Sequence, residues 1–283
     1  MSEMTELKLG KLPARVDGRT LRLASIFRKS LAPPPASFNV DASLPVPMSD
    51  SNMYLNDQLG DCVIAGRAHM TLRFEDYEQK AIIPITDDDV RTEYMKETGG
   101  VDSGLVMLNS LKAWRNGWTA AGQTYNIDAF GALTPSNQQE VMQTIYLLRG
   151  TYTGVLIYQS DMDQYNAGQP WSLTPTPGRF LGGHCIYVLG YDADGLTCVT
   201  WGKIQRMTWP WFVARTDETY GVVDNRDKWL GADSPIDVAI LDNYLAEITG
   251  QQPTPPNPPA PPPPHHCCPF LQMLHERRRS GRS

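Results

Sequence analysis

The chain has 283 residues, a net charge of −6, and 41% hydrophobic against 20% charged residues. That is the make-up of a folded chain rather than a disordered one, and the acidity argues against a nucleic-acid-binding body. No apolar run approaches a membrane span, and Lys8, Lys11, Arg15, Arg19 and Arg22 interrupt any signal-peptide core, so a cytoplasm or a virus particle is the expected location.

Residues 1–50 read as an extended arm. Within it, 21–27 suggests one strand or a short helix, and Pro33, Pro34, Pro35, Pro45 and Pro47 keep the rest extended. A compact domain is expected over 51–250. The stretch around which it is organised is Asn56-Asp57-Gln58-Leu59-Gly60-Asp61-Cys62, a polar turn that runs into a helix over about 62–80. A thiol in the first turn of a helix faces unsatisfied N–H groups and the positive end of the helix dipole, and both favour thiolate. Gln58 carries a side-chain amide that can donate to an oxyanion beside that sulfur. The competing reading of Cys62 is an inert core thiol.

Thr86 followed by Asp87, Asp88 and Asp89 caps a second helix reaching about Lys96. A third is expected to begin at Asp102-Ser103-Gly104 and to end at Asn116-Gly117, with Leu105, Leu108, Leu111 and Trp114 on one face. The sheet half follows: a strand over 125–133, a helix over 139–148, a strand over 151–159, and a Gly/Pro/Thr-rich loop over 165–179, in which Trp171 is expected as an exposed anchor packing the loop on the domain, with substrate contact as the alternative. His184 opens an apolar strand through Asp192. A turn at Asp192-Ala193-Asp194-Gly195 leads to a returning strand that ends in Val199-Thr200-Trp201-Gly202. The aromatic run from Met207 to Phe212 reads as core, and 236–248 as a last amphipathic helix.

A single Cys with a distant His is the layout of a thiol hydrolase, since such a pair meets only in the fold. The order and contexts resemble the papain-like cysteine peptidase superfamily, where a Gln-x-Gly-x-Cys segment opens the central helix, a Gly-His strand carries the base and an Asn-Ser-Trp-Gly strand follows. Among its members the chain looks like uncharacterised bacterial and phage-encoded proteins with Leu-Gly-Asp-Cys and Thr-Trp-Gly blocks. The resemblance implies an α+β fold, with a helical half opened by the Cys62 helix and packed on an antiparallel sheet half carrying His184. It further implies Cys62 as nucleophile, His184 as base, Gln58 as oxyanion donor, Gly100 and Gly104 (with Gly99) as candidates for a cleft wall, and Trp201 beside the His. Two departures stand out. Gln58 is closer to the Cys than is usual, and Val199 falls where the family has its orienting Asn. By strand alternation Thr200 is expected to point away from the face shared by Val199 and Trp201. Because many of the residues before Cys62 would belong to the domain, an inhibitory propeptide is not expected.

Beyond Gly250 the composition changes. Residues 251–264 hold nine Pro in fourteen, a stiff polyproline II linker. Residues 265–283 follow: His265-His266-Cys267-Cys268, an apolar face of Phe270, Leu271 and Leu274, and a basic end. Four adjacent ligands close a metal tetrahedron poorly, so no metal or cofactor is expected. The segment reads as a docking tail for a protein partner, and nucleic acid enters only through its basic end. The five cysteines are Cys62, Cys185, Cys198, Cys267 and Cys268; their odd number and irregular spacing fit a reducing compartment. Two functions follow: a Cys62–His184 hydrolase of peptides or amides, or a catalytically weak papain-like structural module, for example a virion or assembly component held by its tail. A groove filled by the chain's own arm is the outcome expected of the module or of a latent enzyme.

Overall fold

The computed structural model describes residues 7–27, 32–48, 52–224 and 239–242. The linker at 251–264, the tail at 265–283 and most of the helix expected at 236–248 lie outside them.

The N-terminal region is built into the domain. Leu21, Leu23, Ile26 and Val40 are buried, and strand β1 (Phe38–Asn39) joins the main sheet. Helix α1 (Cys62–Gln79) is the central rod. Every residue from Cys62 to Asp76 is buried, as expected of a helix packed on all sides. Helix α2 (Asp87–Thr98) starts at a Thr86–Asp89 capping box and ends at Gly99, whose φ of 70° is the left-handed cap that glycine supplies. Helix α3 (Met107–Arg115) begins later than its sequence suggests. Gly104 has a φ of 74° and the Leu105 backbone is engaged elsewhere, so no helix can start at Asp102.

The strand expected at 125–133 is two separate pieces. Strands β2 (Trp118–Ala120) and β3 (Gln123–Tyr125) form a hairpin of their own, and β4 (Ala129–Ala132) enters the main sheet. Helix α4 (Gln138–Leu148), strand β5 (Thr151–Tyr158), helix α5 (Gln159–Asn166), the long strand β6 (Phe180–Tyr191), strands β7 (Gly195–Thr200) and β8 (Lys203–Thr208), helix α6 (Trp209–Arg215) and strand β9 (Thr216–Val223) complete the order. The sheet runs β4-β9-β5-β6-β7-β8, antiparallel throughout, with β1 paired to the end of β6. Within this sheet only β6–β7 and β7–β8 are joined by tight hairpin turns; the other neighbouring pairs join strands distant in sequence.

Helix α1 lies on β6. Gly66 makes this possible, because a Cβ there would come within 3.1 Å of both the Cys185 sulfur and the Tyr152 ring. The aromatic run is core, as its composition indicates: Trp209, Trp211 and Phe212 are buried, and Trp171 is fully buried against Trp211 with centroids 4.6 Å apart. Among the described residues no helix is long and apolar enough to cross a membrane.

Candidate active site

Cys62 is the first residue of α1 and is 1% exposed. Its sulfur receives the backbone N–H groups of Cys185 on β6 and of Gly10 on the arm. His184, the neighbour of Cys185, is also 1% exposed, so the two elements that carry the thiol and the imidazole meet at this point. Burial pushes the Cys62 thiol up to about 11 and the His184 imidazole down to about 3. At neutral pH both groups are therefore uncharged in this state. Asp61, immediately before the thiol, is buried as well, and desolvation raises its carboxyl to about 8.

The imidazole is held by two contacts. Its ring stacks on Trp201 at 3.9 Å with planes 14° apart. Nε2 shares a hydrogen bond of 2.6 Å with Thr200 Oγ1, and Nδ1 has no hydrogen-bond partner among the described residues. This corrects the expected orientation of Thr200. Register pairs Tyr187 with Val199, so Val199 shares a face with Tyr187. His184 is three residues from Tyr187 and points to the other face, which is the face of Thr200. Trp201 reaches the same side because its φ of 41° breaks the strand alternation. Behind it, Tyr165 Oη donates to Trp201 O, and Trp171 packs edge-on at 6.3 Å, so the aromatic core fixes the platform under the imidazole.

A groove of about 480 Å³ is lined by residues 8–13, by Gly60 and Gly104 on the helical side, and by Gly182 and Gly183 just before His184. The arm is hydrogen-bonded to both walls. On the helical side Leu12 N–H donates to Leu105 O at 2.9 Å, and Leu105 N–H donates to Gly10 O at 2.8 Å. On the sheet side Lys11 N–H donates to Gly183 O at 3.1 Å. Trp201 Nε1 donates to Lys8 O at 3.0 Å, and Lys8 N–H donates to Asn56 O at 3.1 Å. Each wall presents a glycine to the arm. A Cβ on Gly104 would meet Gly10 O at 2.4 Å, and one on Gly183 would meet Lys11 O at 2.5 Å. Gly10 itself passes so close to the turn before Cys62 that a Cβ would lie 1.7 Å from Gly60 O.

The Lys11 side chain leaves the groove for a pocket beneath it. Nζ lies 2.7 Å from Asp217 Oδ2 and 3.0 Å from Glu218 Oε1, with no side-chain surface exposed. Burial alone would lower its basicity, and the two carboxylates more than reverse that.

Of the residues singled out from sequence, Gly104 lines the groove, His184 stacks on Trp201, and Cys62 starts α1 one residue after the buried Asp61. Gly100 does not border the arm. Its N–H closes the end of α2 on Met95 O, and a Cβ on it would meet open space. Gln58 is exposed in the turn before Cys62. The buried amide of that turn is Asn56, whose Nδ2 donates to Leu59 O at 3.1 Å. Sequence reasoning missed Thr200, Asn56 and the Lys11 pocket. Only the adjacent acids Asp217-Glu218 offered a local sign of the last.

No family model and no curated protein sequence matches the chain. Solved structures do match in fold. Xylellain, a cysteine protease from Xylella fastidiosa, superposes with a TM-score of 0.63 at 14% identity, over 80% of this chain and 99% of that one. ProCathepsin B S9 from Trypanosoma congolense follows at 0.55 and 11%, over 77% and 87%. Digestive procathepsin L 3 from Tenebrio molitor gives 0.51 and 10%, over 77% and 75%. The central Cys62 helix, the antiparallel sheet behind it and these superpositions agree: the chain has the fold of the papain-like cysteine proteases.

Proposed function

We propose that the chain is a latent cysteine hydrolase of peptide or amide bonds, closed by its own residues 8–12. The observation that carries this reading is the His184 ring. A buried imidazole tied at Nε2 to a hydroxyl and left with an unpartnered Nδ1 is costly unless that nitrogen has a task. In the tautomer whose Nε2–H donates to Thr200 Oγ1, Nδ1 is the base and Thr200 plays the part of the orienting third group in such dyads.

The docked arm is not a substrate pose. Gly10 turns its N–H to the sulfur, while the carbonyls of Lys8 and Gly10 are spent on Trp201 and Leu105. Once the arm leaves, water reaches the site and the ion pair becomes affordable in energy. His184 Nδ1 takes the Cys62 proton, and the thiolate at the α1 N-terminus attacks the acyl carbon. The carbonyl electron pair moves to oxygen, where the Cys62 N–H and a side-chain amide of the turn receive it. Gln58 is one source of that amide, and Asn56 is the better buried one. His184 then gives its proton to the leaving nitrogen as the C–N bond breaks. Water, deprotonated by His184, cleaves the thioester and restores the thiol.

Alkylation of Cys62 by a small electrophile across pH tests this reading. Wild type is expected to react slowly, and Gly10→Ala, which cannot seat the arm against Gly60, to react well below the pH of a free thiol. Adding Thr200→Val should slow that reaction roughly tenfold, and adding His184→Ala should leave an ordinary thiol. The competing reading, an inactive papain-like module, is favoured if Gly10→Ala exposes a thiol that ignores His184.

A further inference from the structure

The pocket that holds Lys11 has features no inert wall needs. It is shaped for a long unbranched chain: at Gly154, a Cβ would strike Lys11 Cε at 2.1 Å and Cδ at 2.8 Å. Its floor is acidic, and both carboxylates serve the ammonium. The Asp217 side chain is 20% exposed and that of Glu218 only 5%. Tyr220 Oη donates to the second Glu218 oxygen at 2.8 Å, which aims the first at Lys11. Burial raises the Glu218 carboxyl, and Lys11 offsets part of that rise. When the arm departs, the pocket opens beside Cys62 with its acids unpaired, a state that a new cation relieves.

We propose that this pocket selects substrate, taking the Lys or Arg side chain of a peptide cleaved at Cys62, and that Lys11 is a tethered occupant of the same site. The proposal rests on the hydrolase reading. A leucine side chain ends too soon to reach the acids and leaves them desolvated, whereas a glutamate adds like charge. Discrimination of this kind comes from buried groups left unpaired by the wrong side chain, and is characteristically large.

The experiment uses the full chain carrying Gly10→Ala. Fluorogenic peptides that scan Lys, Arg, Leu and Glu through each position are compared by kcat/KM. At one position Lys and Arg are expected to exceed Leu at least tenfold, with Glu the poorest. In Glu218→Gln and, separately, Asp217→Asn, the Lys-to-Leu ratio is expected to collapse towards one. In parallel, binding of the Lys and Leu peptides to the Gly10→Ala, Cys62→Ser chain is followed by calorimetry. Cleavage without a basic preference, or a preference that survives both acid substitutions, overturns the pocket and leaves the hydrolase standing. No cleavage by the Gly10→Ala chain, with the Lys peptide still bound at least tenfold tighter than the Leu peptide, removes the hydrolase and leaves the pocket. Equal binding of the two peptides overturns the pocket outright.

Discussion

Arg67 and Lys11 are both cations without exposed side-chain surface, each held between two carboxylates, yet one lies within a helix and the other on an extended segment. Arg67 sits in the middle of α1. It reaches Glu93 and Glu97 on α2 and the Ser110 carbonyl and hydroxyl on α3, and its guanidinium lies over the Trp114 and Trp118 rings at 5.6 and 5.8 Å. It cannot leave those partners unless α1 unfolds. Lys11 meets Asp217 and Glu218 from a segment hydrogen-bonded to the two walls of a groove, and it can leave without unfolding either wall. The planar, multiply bonded Arg suits a permanent site, while the point charge of Lys suits a removable one. The same electrostatic arrangement therefore serves cohesion in one half of the molecule and closure in the other.

The strongest way to break that contrast is Arg67→Met. Glu97 then loses its cation and Glu93 keeps only the exposed Lys96, at a cost of about 3 kcal/mol. The melting temperature should fall on the order of 10 °C, and Cys62 should gain no reactivity below the unfolding transition. A shift within about 2 °C would mean that the helical half does not depend on Arg67.

Lys11→Met is the matching change in the other half, with a different expected readout. The docked arm now leaves two carboxylates unpaired, but undocking relieves them. The cost, about 3 kcal/mol, therefore falls on the docked state alone and shifts the docked–undocked balance by roughly a hundredfold. Alkylation of Cys62 should rise accordingly while the unfolding transition stays near that of wild type. A chain that melts early and keeps an unreactive Cys62 would make Lys11 a second Arg67, and the arm a part of the core.

What the sequence made legible follows the same division between local and distant causes. The polar turn into Cys62, the capping box at Thr86 and the apolar strand after His184 are local patterns, and each element stands where its pattern predicts. The core role of the run from Trp209 to Phe212 was legible from composition, whereas Trp171, expected as an exposed loop anchor, is fully buried because its loop folds back onto that run. Thr200 was not, although the alternation rule applied to it was sound, because the face it takes depends on the pairing of Tyr187 with Val199, which no single strand encodes. The late start of α3 has the same origin. Gly104 and Leu105 look like a helix opening until Tyr94 Oη takes the Gly104 N–H and the arm, almost a hundred residues earlier, takes both backbone groups of Leu105. Gly100 resembled a wall glycine because caps and close approaches ask for the same residue. The Lys11 pocket joins the first strand-like residues of the chain to its last strand, and only the assembled sheet brings them together.

The smallest expected effect sharpens the comparison by asking what closure does to the dyad. Burial under the docked arm holds the His184 imidazole down at about 3. With the arm away and the ring in water, its pKa returns towards the ordinary 6.5. The undocked form therefore accepts a proton that the docked form refuses. Docking has its full strength above about pH 6.5 and weakens as the pH falls through that value, by about 2 kcal/mol at pH 5. The reporters are the Lys11 and Leu12 amides, which donate to Gly183 O and Leu105 O. Between pH 7.5 and 5 their hydrogen-exchange protection, corrected for intrinsic rates, should fall about thirtyfold in wild type and stay level in His184→Gln. Amides of α1 around Arg67 should keep their protection in both. Equal losses in wild type and His184→Gln would mean that the arm's grip answers to the carboxylates around Lys11 alone, and that covering Cys62 and desolvating His184 are separable events.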